Sequence, residues 1–113
     1  MTGVQTCALP IFESHPGHDI AARQMHGGFG GVLSVQLAGG AEAAKKFVDY
    51  TEIFTLAESL GGVESLIEVP AAMTHASVAG TTLQVPGNLV RISVGIENAD
   101  DLIADLKQAL DRL

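Results

Sequence analysis

Hydrophobic and polar residues alternate one for one in two stretches of the chain, and in a third the apolar positions recur every three or four residues. In Val32-Leu33-Ser34-Val35-Gln36-Leu37-Ala38, Leu33, Val35 and Leu37 alternate with Ser34 and Gln36. That is the period of a half-buried strand, and a strand is predicted over 31–38. In Leu89-Val90-Arg91-Ile92-Ser93-Val94-Gly95-Ile96, the even-numbered residues are all β-branched and apolar, and the odd positions carry Leu89, Arg91, Ser93 and Gly95. A strand over 89–96 with one apolar face follows. After Asn98, which can cap through its side-chain oxygen, Leu102, Ile103, Leu106, Ala109, Leu110 and Leu113 form one stripe. Asp100 and Asp101 suit the start of a helix, so an amphipathic helix is predicted to the end of the chain.

The remaining elements are shorter. Pro16-Gly17 marks a turn, His18 to Met25 can form a helix, and the glycines of Gly27-Gly28-Phe29-Gly30-Gly31 stop it, a cluster read as tight packing. Residues 41–50 hold strong helix formers between Gly39-Gly40 and the β-branched Thr51. Residues 52–57 and 64–69 read as two strands flanking the turn at Gly61-Gly62. A helical turn is predicted within 70–77, and a polar loop over 79–88 closes on Pro86-Gly87-Asn88. The order β-α-β-β-β-α predicts an α/β domain of the α+β kind, a mostly antiparallel sheet of about four strands with helices on one face.

Composition narrows the partners. The 113 residues are 47% hydrophobic and 17% charged, enough for one core and one folded domain. A formal net charge of −7 with no basic cluster repels polyphosphates, so neither nucleic acid nor an anionic membrane is expected as a partner. No apolar run reaches the roughly 18 residues of a membrane helix, and the N-terminus lacks the positive region of a secretion signal, so a cytoplasmic location is expected. The single cysteine, Cys7, cannot build a disulfide framework. It lies in residues 1–11, Met-Thr-Gly-Val-Gln-Thr-Cys-Ala-Leu-Pro-Ile, which back-translate to a common sequencing-library adapter. This segment is expected to be non-native, which would make the chain the 3′ end of a truncated reading frame.

Candidate chemistry concentrates on two places. Arg91 interrupts an apolar strand and shares its face with the small residues Ser93 and Gly95, which leaves room for a planar anion against the guanidinium fork. The pattern by itself favours the other reading, an arginine that simply reaches solvent from a wet sheet face. Glu58-Ser59-Leu60-Gly61-Gly62 sets a carboxylate beside a hydroxyl at a strand end; Ser59 could cap a turn while the glycines supply positive φ. No histidine stands at a diagnostic spacing, and the Gly-x-Ser-x-Gly elbow is absent. His15 and His18 would need two more converging ligands to hold zinc, so no metal is expected. Lys45, Lys46 and Lys107 fall on exposed helix faces, unlike the buried amine that forms a Schiff base.

The stretch from Phe54 to Ser77, with its Ser-Leu-Gly-Gly and Met-Thr-His-Ala-Ser, and the stretch from Leu89 to Leu110, opening on Arg-Ile-Ser-Val-Gly-Ile-Glu, carry a specific resemblance. From about His15 onward the chain resembles the C-terminal domain of the pyridoxal-phosphate-dependent enzymes of Cys/Met metabolism, and within them cystathionine γ-synthase and γ-lyase. The resemblance implies that residues 12–113 are the small domain of a truncated fold-type I transsulfuration enzyme, inert alone. Its large domain would hold pyridoxal 5′-phosphate covalently, and the full enzyme would be a homotetramer acting on an amino-acid substrate. It further implies that Arg91 holds the substrate α-carboxylate, that Ser59 is a catalytic residue positioning substrate and the cofactor lysine, and that Glu58 lines the side-chain pocket, as in γ-acting branches. The loop Val78 to Asn88 is shorter than in many relatives. Homoserine-ester sulfhydrylase and methionine γ-lyase are alternatives within the family, and a stand-alone small-molecule-binding α/β-sandwich is the alternative outside it.

Overall fold

The computed structural model describes the backbone of residues 4–7 and the whole of residues 12–113. Its elements are β1 (Val4–Cys7), α1 (His18–Gln24), β2 (Val32–Leu37), α2 (Gly40–Tyr50), β3 (Thr55–Leu56), β4 (Leu66–Glu68), β5 (Leu89–Ser93) and α3 (Ala99–Asp111), with a 3-10 turn at Ala76–Val78. One sheet runs β1-β2-β5-β4-β3. It is antiparallel except between β3 and β4, which pair in parallel with Thr55 opposite Leu66. The α+β class and its mostly antiparallel sheet therefore stand. The count rises to five because β1 joins the edge of β2, within the segment set aside above; residues 1–3 and 8–11 of that segment lie outside the described residues.

Alternation decides which side of the sheet is apolar. Val35 and Leu37 of β2, Ile67 of β4, and Val90 and Ile92 of β5 pack with Ala44, Phe47 and Val48 of α2 and with Leu102 and Ala109 of α3. The strand period of two then forces Ser34, Glu68, Arg91 and Ser93 to the other side. Asn98 caps α3 as its sequence suggests, its Oδ1 accepting from the backbone of Asp100 at 2.9 Å and Asp101 at 3.2 Å.

Three local expectations change. Residues 52–57 and 64–69 are shorter strands than predicted, and they run side by side in the same direction. The arms of the intervening loop do not pair with each other, because they are tied to the end of β5 and the chain just after it: Gly61 N–H donates to Ser93 Oγ at 2.8 Å, and Val63 O accepts from Ile96 N–H at 2.9 Å. The strand at 89–96 stops at Ser93 for the same reason, and Val94 and Ile96 are exposed rather than part of the apolar face. Finally, Gly27, Gly28 and Gly30 have positive φ and open space where a Cβ would be, so that cluster serves backbone conformation more than packing.

Asp105 locks the second half of the fold to α3. It is only 5% exposed, and its carboxylate accepts the backbone N–H of Glu52 and Ile53 at 2.8 Å and of Phe54 at 3.1 Å, with the Gln108 amide at 3.0 Å. Burial alone would push this carboxyl up. The hydrogen bonds from Glu52, Phe54, Ile53 and Gln108 outweigh it and hold the pKa below the ordinary Asp value.

Candidate functional site

Arg91 sits on β5, in the middle of the sheet, with Ser34 opposite it on β2 and Glu68 opposite it on β4. Its side chain is 17% exposed, so it is not an arginine reaching freely into water. Nη1 pairs with Glu68 Oε1 at 3.0 Å, and Nη2 donates to the carbonyl oxygens of Glu58 at 2.8 Å and Ser59 at 3.2 Å. Arg91 thus meets the backbone at Glu58 and Ser59. The contact runs through the carbonyls of 58 and 59; the Glu58 and Ser59 residues themselves are exposed at the rim.

The loop 57–65 that supplies those carbonyls is held at several points. Ser65, fully buried, takes Glu97 with both its groups, N–H to Oε1 at 2.8 Å and Oγ to Oε2 at 2.7 Å, and its Oγ accepts from Gly95 N–H at 2.9 Å. Those two bonds from Ser65 hold the Glu97 carboxyl below its ordinary value. Gly61 turns the loop with φ 76°. Gly95 lets it lie against β5, since a Cβ there would come within 2.6 Å of Glu97 Oε2 and 2.7 Å of the Glu64 carbonyl carbon, and would strike Val63 O. The paired glycines of the sequence therefore shape a loop, and a glycine thirty residues later receives it.

Sequence reasoning missed Glu68. It is fully buried, and its Oε1, ion-paired with Arg91, accepts from Thr74 Oγ1 at 3.1 Å, while Oε2 has no hydrogen-bond partner among the described residues. The signal was the same one that marked Arg91: a single charge inside an apolar strand, here Leu66-Ile67-Glu68-Val69.

Charge and geometry suit this face to a small anion. Among the described residues the guanidinium donates hydrogen bonds from Nη2 alone, Nη1 meets Glu68 as an ion pair, Nε–H has no partner, and the longer bond to Ser59 O is the easiest to exchange. The three lysines of the sequence, Lys45, Lys46 and Lys107, stand on α2 and α3, which cover the opposite face. No lysine therefore stands beside Arg91 to form a Schiff base, and the described residues do not by themselves fit covalently bound pyridoxal phosphate.

Fold and geometry together define a small α+β domain whose uncovered sheet side carries a guanidinium held by a buried carboxylate and two loop carbonyls. The chain belongs to the family described as Cys/Met metabolism PLP-dependent enzymes, whose model matches residues 2–111. It is 58% identical over 108 residues to the cystathionine gamma-synthase of Mycobacterium leprae, covering 96% of this chain and 28% of the relative. It is 51% identical to the cystathionine gamma-lyase of Saccharomyces cerevisiae and 52% identical to a cystathionine beta-lyase of Lactococcus lactis, covering 27% of each and 89% and 91% of this chain. The crystal structure of metB from Corynebacterium glutamicum superposes with a TM-score of 0.94 at 57% identity, over 99% of this chain and 29% of that one. The chain thus spans between a quarter and a third of the length of these relatives.

Proposed function

We propose that this chain is the C-terminal substrate-recognition part of a pyridoxal-phosphate-dependent transsulfuration enzyme of the cystathionine γ-synthase or γ-lyase type. In this reading the large domain holds the cofactor covalently, and the assembled enzyme is a cytoplasmic homotetramer. The bound cofactor supplies an electron sink for carbanion chemistry on the amino acid. The residues of this chain supply position.

Arg91 holds the α-carboxylate of a homoserine-derived amino acid. A bidentate grip uses Nη2 together with Nε or Nη1, so the acid displaces the Ser59 carbonyl from Nη2 while Glu68 retains Nη1. Fixing the acid group fixes the direction of the bonds at the adjacent carbon, which is how a residue remote from proton transfer accelerates it. Ser59 and Glu58 stand at the rim, Ser59 to orient substrate and the cofactor lysine, Glu58 to line the pocket for the substrate side chain.

The observation that carries this reading is the inward guanidinium bonded to the backbone of Glu58 and Ser59. It is tested by grafting residues 12–113 in place of the matching segment of the C. glutamicum metB protein. Arg91→Lys in that enzyme should lower kcat/KM at least about tenfold, since an ammonium cannot make the two-point grip. An unchanged value would remove Arg91 from the site.

A further inference from the structure

Glu68 is the one buried carboxylate facing Arg91, and the family motif Met73-Thr74-His75 ends beside it. Its Oε1 accepts from Thr74 Oγ1 at 3.1 Å and is ion-paired with Arg91 Nη1 at 3.0 Å. The Thr74 hydroxyl in turn lies 2.9 Å from His75 Nδ1. A hydroxyl has one proton to give, and a carboxylate oxygen accepts. Thr74 therefore donates to Glu68, and His75 Nδ1–H donates to Thr74, a line of bonds that braces the carboxylate paired with Arg91.

We propose that Glu68, braced by Thr74, is a positioning residue that aims the Arg91 guanidinium at the substrate's acid group. The proposal rests on the reading of Arg91 as the carboxylate clamp. An arginine left to itself loses rotamer entropy on becoming fixed. Here that ordering is done before substrate arrives: Glu68 is the cross-strand neighbour of Arg91, wholly buried, and its charge holds the Nη1 end. The guanidinium is then held between Glu68 and the loop carbonyls, leaving Nε–H and the exchangeable Nη2 hydrogens for the incoming carboxylate. Pre-ordering of this kind acts on substrate affinity and acts only through Arg91.

The test is a double-mutant cycle in the grafted enzyme, read as separate kcat and KM values. Glu68→Ala should lower kcat/KM at least about tenfold, carried mainly by KM. Glu68→Gln, which keeps the shape and the Oε1 acceptor for Thr74 but loses the charge that pairs with Arg91, should give a value between those of the Ala variant and the parent. Thr74→Val should raise KM a few fold. In an Arg91→Lys background, neither Glu68→Gln nor Thr74→Val should have further effect beyond about twofold, since a residue that acts through a partner loses its effect with that partner. Full additivity of these changes with Arg91→Lys, or an unaltered KM in both Glu68 variants, overturns the proposal. If Glu68→Ala does not fold, the Gln and Val arms decide alone. Loss of activity in Arg91→Lys with none in the Glu68 and Thr74 variants refutes the positioning role and leaves the clamp standing; no loss in Arg91→Lys refutes the clamp itself.

Discussion

Replacing Asp105 by Asn isolates the contact that fixes the entry of β3. Oδ1 of Asp105 takes Glu52 N–H and the Gln108 amide, and Oδ2 takes Ile53 N–H and Phe54 N–H. An amide has one oxygen, and Gln108 cannot turn to meet its NH2 without abandoning Tyr50 O at 2.6 Å. The best compromise keeps the oxygen on Ile53 and on Phe54, the buried one, and leaves Glu52 N–H facing a like donor. Two charge-assisted bonds are lost, those from Glu52 N–H and from the Gln108 amide, at about 1.5 kcal/mol or more each, for a total of at least about 3 kcal/mol. In the grafted enzyme this should speed hydrogen–deuterium exchange of the peptide 50–57 about a hundredfold, since each 1.4 kcal/mol is roughly tenfold. Asp111→Asn, on the exposed end of α3, serves as a control with little change. The pH dependence has a definite sign. A carboxyl whose folded pKa is depressed stabilises fully above its unfolded value, near about 3.9, and that stabilisation fades as pH falls through the lower folded value. The difference in stability between the parent and the Asn variant should therefore hold down to about pH 4 and narrow only as pH falls further, through the depressed folded value. Exchange at 50–57 within about threefold of the parent at neutral pH would refute the assignment of this anchor.

Three further outcomes are expected. Gly95→Ala should move the loop 57–65 off β5, because the new methyl meets the backbone of Val63 and Glu64; we expect at least about a tenfold fall in kcat/KM of the grafted enzyme, and parent activity would show the loop can yield. The Ser65 amide proton should shift in NMR spectra of the chain with a midpoint below the ordinary Glu value of about 4.3, through Glu97, and the shift should vanish in Glu97→Gln. The same acidification loosens the hold of Glu97 on the loop as pH falls through that depressed value. The 113-residue chain incubated with pyridoxal 5′-phosphate should give no saturable, stoichiometric absorbance band of a lysine-linked cofactor, because Lys45 and Lys107 are surface residues away from Arg91; such a band would contradict the division of labour proposed here.

The chain's own pattern was sufficient for β2, β5, α2 and α3, because in each a period of two or of 3.6 separates an apolar face from a polar one and the core simply collects the apolar faces. The same alternation placed Arg91 away from the core. It could not say what Arg91 touches. The residues that meet it come from positions 58, 59 and 68, more than twenty residues upstream, and the strand pairing alone brings Glu68 across from it. Nor could it choose between a hairpin and a parallel pair at β3 and β4, because the glycines at 61 and 62 permit either turn. The loop's bonds to Ser93, Gly95, Ile96 and Glu97 made that choice. Periodicity is a local property and survives in the linear sequence, whereas the partner of a buried charge is set by distance in space, and only the folded sheet supplies that distance.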